Sequence, residues 1–388
     1  MQKKNMSKNA FKAGIGYTIG NILIKGINML TIPIFSRLLT TDDFGIYNVF
    51  ISYESILFVL IGIAMHTCIK SANLEFNGRI NEFASSISLI YISNLLILLL
   101  GAIIFFKPLT KLLNFSLPII ICLVVYSFST ALLSLYNNKI SLQYDYASYL
   151  KIAFLNSTGN VIISLILIFT FFKTNRGIGR ILGATIVLAA ISTYVLIKLF
   201  KDAKPKVNRE YWIFAVKYSL PIVPHGISQV LLAQFDRIMI RELVSDSAAG
   251  IYSLAGNIKL ILNIITDSIS TAWSTWFYEK MSKKETKTIQ EKAIQLAGLF
   301  TVLSIGLLAI SPELVLILGG EAYAEAKYVA IPMVVDAFIL FLYNIIVTAE
   351  YYSKKTSYIM IGTMIAAIIN IITNYLFINK YGFIAAAY

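Results

Sequence analysis

Long apolar runs, separated by short polar turns, recur along the whole chain. Eleven can be placed, near residues 11–34, 44–69, 82–106, 115–137, 150–172, 178–199, 213–236, 248–275, 293–318, 326–350 and 357–378. Each has about the 20 residues a helix needs to cross a bilayer core of roughly 30 Å. Backbone amides cannot stay unpaired in hydrocarbon, so runs of this kind form helices. The pattern predicts an all-α polytopic membrane protein. The last residues, GFIAAAY, read as the opening of a twelfth span.

The pattern also repeats. Gly45-Ile46-Tyr47 recurs as Gly250-Ile251-Tyr252, 205 residues on, and the same offset carries Gly177 of NRGIG onto Gly382 of KYGFI. Both anchors fall at matching places in the run of apolar segments. The chain therefore reads as two homologous halves, 1–205 and 206–388, each predicted as a six-helix bundle. Gly177 opens the sixth segment, so the sixth helix of the second half is expected to follow residue 388. A six-helix half returns the chain to its starting side, which makes the two halves parallel repeats.

Composition agrees with the pattern. Of 388 residues 57% are hydrophobic and 14% charged, against roughly 25% charged in a soluble domain. The net charge of +13 would suggest nucleic acid in a soluble protein. Here it reports which loops are cytoplasmic. Counted by loop, 20 Lys and Arg fall on one side (the N-terminus and the even loops, including Lys198–Arg209 and Lys280–Lys292) and 10 on the other. The N-terminus and the linker Lys201–Tyr211 are therefore expected in the cytoplasm. Trp212, Trp273 and Trp276 sit at segment ends on that same side, where indole rings favour the headgroup zone. The basic start MQKKNMSKNAFK leads into a full-length apolar segment, which reads as a first span rather than a cleaved leader.

Several charges lie inside the segments: Lys25, Lys217, Lys259, Glu54, His66, His225, Asp267 and Asp336. A charge at mid-bilayer costs about 2.5–3.5 kcal/mol or more, so such residues face protein or water. Their spacing groups them. Thr18, Asn21, Lys25, Asn28 and Ser36 share one side of the first helix, and Lys259, Asn263, Asp267, Ser270 and Ser274 one side of the eighth. Lys217, His225, Ser228 and Gln229 share a side of the seventh, kinked by Pro221 and Pro224. Three polar stripes predict a water-filled cavity between the halves. Lys25 and Lys259 lie near helix midpoints and belong to it. Lys217 is close enough to an end to snorkel, and His66 reads as a packed histidine. Glu54 maps onto Lys259 through the repeat, so the two either pair or are each neutralised nearby. Buried carboxylates suit an ion-linked step, and Glu54, Asp267 and Asp336 are the candidates, Asp336 with the least support from its own helix.

Gly16-x-x-x-Gly20 and Gly179-x-x-x-Gly183 predict close helix packing within a bundle. Cys68 and Cys122 form no disulfide framework or metal cluster. There is no phosphate-binding Gly-Lys-Ser/Thr loop, no HExxH and no supported Ser/His/Asp set, so neither an enzyme nor a cofactor is expected.

Residues 32–50, IPIFSRLLTTDDFGIYNVF, resemble the first inter-helix turn of the polysaccharide-unit flippases (the O-antigen and capsule type) of the MATE-like superfamily. QFDRIMIRELVSDSAAGIYSLAGNI (Gln234–Ile258) resembles the matching turn between their seventh and eighth helices, and NYLFINKYGFIAAAY the approach to their last. The resemblance places Arg37, Asp236 and Arg237 at outer-side turns. It implies two six-helix bundles around a central cavity, here without the final helix. It also implies alternating-access movement of an undecaprenyl-diphosphate-linked sugar unit across the cytoplasmic membrane, with a proton or sodium ion as coupling partner and other polysaccharide assembly proteins nearby. Asn21, Lys25, Asn28, Lys217, His225, Lys259 and Asn263 are then the expected substrate-cavity residues. A multidrug antiporter of the same fold is the nearest alternative, but it expels mostly cations and would want acidic walls. A lipid II flippase belongs to a family that usually has two further helices. A membrane-bound polymerase or glycosyltransferase would present a large outer loop or an acidic metal-binding pair, and neither is present.

Overall fold

The computed structural model describes residues 2–353 and 356–388, and for residues 2–15, 17–19, 22, 271, 356 and 357 the backbone alone. Lys354 and Lys355 of the charge count, and the side chain of Thr18 in the first stripe, lie outside what is described. Among the described residues the chain forms fourteen α-helices and no strand. They are α1 (Gln2–Leu38), α2 (Thr41–Gly62), α3 (Ile69–Glu75), α4 (Ile80–Ile104), α5 (Phe106–Leu113), α6 (Leu117–Leu142) and α7 (Tyr146–Thr170). There follow α8 (Arg176–Asp202), α9 (Arg209–Ser219), α10 (Val223–Leu243), α11 (Asp246–Ser282), α12 (Thr286–Gly319), α13 (Ala326–Tyr352) and α14 (Thr356–Tyr381).

Nine helices among the described residues are long and apolar enough to cross a membrane. The second predicted segment, 44–69, is interrupted: α2 ends at Gly62, Ile63 and Ala64 take positive φ, and a 3₁₀ turn at Met65–Cys68 leads into α3. The seventh segment is not among the nine. That segment is broken: α9 ends at Ser219, Leu220–Ile222 form a 3₁₀ turn, and α10 begins at Val223. Pro221 and Pro224 remove two amide donors there, so the ladder cannot run through. Lys217 and His225 therefore stand on different helices rather than on one kinked face. The expected opening of a twelfth span at Phe383–Ala387 is a 3₁₀ turn behind Gly382, whose φ of +78° suits glycine.

The helices pack into two compact units, Met1–Asn28 with Phe50–Gln234, and Met29–Val49 with Phe235–Tyr388. This grouping by packing differs from the division by repeat at residue 205. Helices α1, α2 and α10 each contribute residues to both units.

In the first unit α6 is the most buried span, packed on α4 and α8. An aromatic knot of Phe76, Phe83, Tyr211 and Phe214, with centroids 4.7–6.0 Å apart, pins α9 against the α3–α4 corner. Both glycine pairs serve α7, as their spacing predicts. A Cβ on Gly20 would stand 1.8 Å from Leu150 Cδ2, and one on Gly183 2.5 Å from Ser164 Cα. Lys139, counted above as a loop cation, is instead 1% exposed and donates to Asp202 at 2.6 Å. Asp202, a third exposed, can rehydrate if abandoned; Lys139 cannot. Asp202→Asn is therefore expected to destabilise by about 3 kcal/mol and Lys139→Met by roughly 1 kcal/mol. Thermal unfolding of the purified variants checks the order, and equal shifts would contradict it.

In the second unit α11 lies against α12 and α13, and Phe300 stacks on Phe341 at 3.9 Å. Thirty-seven residues make α11 about 55 Å long, well beyond the bilayer core. Ser245 caps its first turn by accepting from the Ala248 amide, and Arg241 pairs with Asp246 at 2.8 Å. The repeat anchors meet here. A Cβ on Gly45 would stand 1.8 Å from the Asp246 carbonyl oxygen, and one on Gly250 2.1 Å from that of Thr41. Thr41 and Asp246 are themselves 205 residues apart, so the contact is reciprocal, as between residues beside a two-fold axis.

Candidate functional site: polar clusters on the spanning helices

In the second unit α10, α11 and α14 build a polar network. Asp236 on α10 accepts from Tyr252 Oη at 2.8 Å through Oδ2 and from Asn374 Nδ2 at 2.7 Å through Oδ1. Tyr252 Oη also lies 3.3 Å from the Ala386 carbonyl, and Asn370 Oδ1 lies 3.3 Å from Asn374 Nδ2. Arg237 follows Asp236 and runs over α11 where Gly256 leaves room; a Cβ there would stand 3.2 Å from its Nη2. These positions correct the expectation of an outer turn. Asp236 and Arg237 lie within α10, which runs on to Leu243. Hydropathy ends the segment at Asp236, but paired polar side chains let the helix continue. Arg37 is likewise helical, in the last turn of α1. Its Nη2 donates to Ile317 O at 2.9 Å and Ser36 Oγ to Leu318 O, so two orphan carbonyls at the end of α12 are capped by α1.

Two turns along α11 from Tyr252, Lys259 is half-buried and pairs with Asp336 of α13. Lys259 is also within electrostatic reach of Asp236, and Asp336 of Tyr252. Of the two alternatives left open for Lys259, neutralisation within its own unit is the one found. Asp336 provides it, although its helix has no polar stripe, because an interhelical partner needs only one residue. One turn beyond, Asn263 Oδ1 is buried without a hydrogen-bond partner among the described residues. Asp267 is exposed.

The first unit holds the other candidates. Tyr149 Oη donates to Asn21 Oδ1 and Ser157 Oγ to Asn28 Oδ1, both at 2.6 Å, so two members of the α1 stripe are tied to α7. Lys25, between them, is half-buried. Glu54 is 7% exposed, with the Thr130 hydroxyl in hydrogen-bonding reach and Oε1 unpartnered among the described residues. Lys217 is exposed and His225 half-buried. His66 packs on Phe58 with ring centroids 5.5 Å apart, in the manner its position predicts. Among the described residues no group of three His, Cys, Asp or Glu side chains could hold a metal ion.

Sequence reasoning missed Tyr252 and Asn374. Asn370 and Asn374 stand four apart in an apolar segment, a spacing that marks one helix face and could have revealed them.

A spanning-helix protein with paired charges inside its helices has the features of a transporter. The family described as polysaccharide biosynthesis protein matches residues 11–280, and MatE matches residues 221–376. The chain belongs to the polysaccharide biosynthesis protein family. The Lsg locus putative protein 1 of Haemophilus influenzae is 23% identical over 379 residues, which cover 92% of this chain and 89% of that protein. The lipid II flippase MurJ, in an inward closed conformation, superposes with a TM-score of 0.69 at 16% identity, covering 96% of this chain and 83% of that one. An inward-facing multidrug resistance MATE family transporter gives 0.65 at 11%, covering 95% and 92%. These similarities establish the MATE-like fold.

Proposed function

We propose that the protein moves an undecaprenyl-diphosphate-linked oligosaccharide from the inner to the outer leaflet of the cytoplasmic membrane, by alternating access, for surface polysaccharide synthesis. The observation that carries this reading is the Lys259–Asp336 pair beside the Asp236–Tyr252–Asn374 network, on spanning helices of a polysaccharide biosynthesis protein. MurJ, named a lipid II flippase, lends a precedent for a lipid-linked substrate on this fold. A diphosphate crossing hydrocarbon needs cations and donors in place of water. Lys259 and Lys25 supply charge, and Asn263 supplies amide donors.

Lys259 cannot serve Asp336 and a diphosphate at full strength together. Neutralising Asp336 with a proton or sodium ion would release Lys259 to the substrate, which links ion and substrate by reciprocal coupling. Glu54 and Asp267 are the remaining ion-coupling candidates.

A strain lacking the protein is expected to hold the lipid-linked unit on the cytoplasmic leaflet and to lose surface polymer, and the gene restores both. Normal surface polymer without the protein would remove the reading. The multidrug alternative draws on the MATE likeness and on the carboxylates Asp236 and Asp336. Efflux of a cationic dye with no change in polysaccharide would decide for it.

The N-terminus and the linker between the sequence halves are assigned to the cytoplasm. Val207, 61% exposed in that linker, is a better probe site than Asp202, whose loss would strand Lys139. With Cys68 and Cys122 replaced, a cysteine at position 207 should resist a membrane-impermeant thiol reagent in intact cells and react after permeabilisation. Labelling in intact cells would invert the assignment.

A further inference from the structure

The first unit contains a cleft of about 570 Å³ that the transport reading does not use. It lies where the start of α4, the end of α8 and the start of α9 converge, and Arg79, Glu82, Ser86, Asp202, Lys204, Lys206 and Tyr211 contribute to its walls. Ligand sites commonly run from roughly 300 to 1,000 Å³.

The walls are held in place. Ser85 Oγ donates to the Ala203 carbonyl at 2.8 Å, and the Asn208 amide donates to Ser86 Oγ at 3.3 Å, so the linker 203–208 is stitched to the first turns of α4. Asn208 in turn caps α9, accepting from the Glu210 and Tyr211 amides. A segment that would otherwise be a flexible connector thus forms a fixed rim carrying Lys204 and Lys206.

The charge of the cleft is positive. Arg79, Lys204 and Lys206 face two carboxylates, and one of these, Asp202, is already neutralised by buried Lys139. Glu82 accepts from Tyr211 Oη at 3.3 Å and is the only carboxylate of the lining without a cation at ion-pair distance among the described residues. Among those residues Lys204 and Lys206 have no ion-pair or hydrogen-bond partner. Asn81, also in the lining, has a buried Oδ1 with no hydrogen-bond partner among the described residues.

The depth of the cleft is marked by Trp212, whose Nε1 donates to the Ser86 carbonyl at 3.0 Å. Ser86 is part of the cleft wall. Indole rings settle at headgroup level, so the cleft opens at the height of lipid phosphates, on the side that carries most of the lysines and arginines. Basic pockets at such positions take lipid headgroups.

We infer that this cleft binds a phosphate-bearing anion, held by Arg79, Lys204 and Lys206, with the linker as its rim. The chemistry is shared by an anionic phospholipid headgroup and by a soluble phosphate, and the two are separable by experiment. In the 388-residue chain with Trp273→Phe and Trp276→Phe, Trp212 is the only indole and reports on the cleft. Its fluorescence is followed in detergent during titration with phosphatidylglycerol, with phosphatidylcholine as the uncharged control, and separately with inorganic phosphate.

Phosphatidylglycerol is expected to give a saturable change. Lys204→Gln with Lys206→Gln should raise the half-saturating concentration roughly thirtyfold, from a factor of about five per lysine lost. Lys284→Gln with Lys287→Gln removes the same charge from another loop of the same side and should leave it unchanged. Saturation by either anion, weakened only by the cleft variant, upholds the site, and the arm that saturates names the source. Saturation by neither, or equal weakening by the two lysine pairs, overturns it. Because the readout is binding, failure here leaves the transport proposal standing.

Discussion

Lys259→Ala is expected to lower export of the lipid-linked unit tenfold or more. A charge-assisted hydrogen bond contributes about 1.5–3 kcal/mol, and 1.4 kcal/mol is a factor of ten. The variant also strands Asp336, which is about half exposed, so some loss of protein level accompanies the loss of transport. Two further variants separate these effects. Lys259→Ala with Asp336→Ala leaves no unpaired charge and should restore the level without restoring export. Exchanging the pair, Lys259→Asp with Asp336→Lys, keeps the attraction but moves the cation from α11 to α13; it too should restore level and not export. Arginine at 259 keeps the charge with a different donor geometry and should retain part of the activity. Immunoblots of membranes and surface-polymer assays read the two quantities. Full export by the double alanine variant at normal level would sink the role given to Lys259.

Gly45→Ala is the second large effect, and it is structural. The new methyl group would meet the Asp246 carbonyl at 1.8 Å. Both sides of this contact are backbone, so no side chain can swing away, and α2 and α11 must move apart. Overpacking of this kind costs roughly 1–3 kcal/mol or more, which for a chain of this size lowers the melting temperature by roughly 1–4 °C. Gly250→Ala should behave alike, since it meets Thr41 through the reciprocal contact. Gly306→Ala on α12 has open space around it and should be neutral, or gain up to about 1 kcal/mol from helix propensity. Equal melting temperatures for Gly45→Ala and Gly306→Ala would show that the two helices do not approach as described.

These two sites were differently legible. Gly45 and Gly250 stood out in the sequence as a repeated tripeptide, though nothing local said that the two copies touch. Lys259 stood out as a cation deep in an apolar segment. Its partner did not, because Asp336 lies 77 residues away on a helix with no polar face. Asp236 reads as part of a turn because it is the last residue of its apolar run and the matching turn of the resembling family falls there. What keeps it helical is a tyrosine on α11 and an asparagine on α14, the latter 138 residues distant.

The sequence alone determined the class and the number of apolar segments. Each follows from properties that are local or additive: the length of an apolar run, the cost of a charge in hydrocarbon, the spacing of like residues along a helix. It also determined that both glycine pairs serve close packing. Only the tertiary structure decided that Lys259 is neutralised by Asp336, that Lys139 is buried while its neighbours in the count are not, and where polar helix ends continue. Those outcomes depend on which helices are neighbours, and a hydrogen bond or ion pair between distant segments leaves no periodic trace in the chain that makes it.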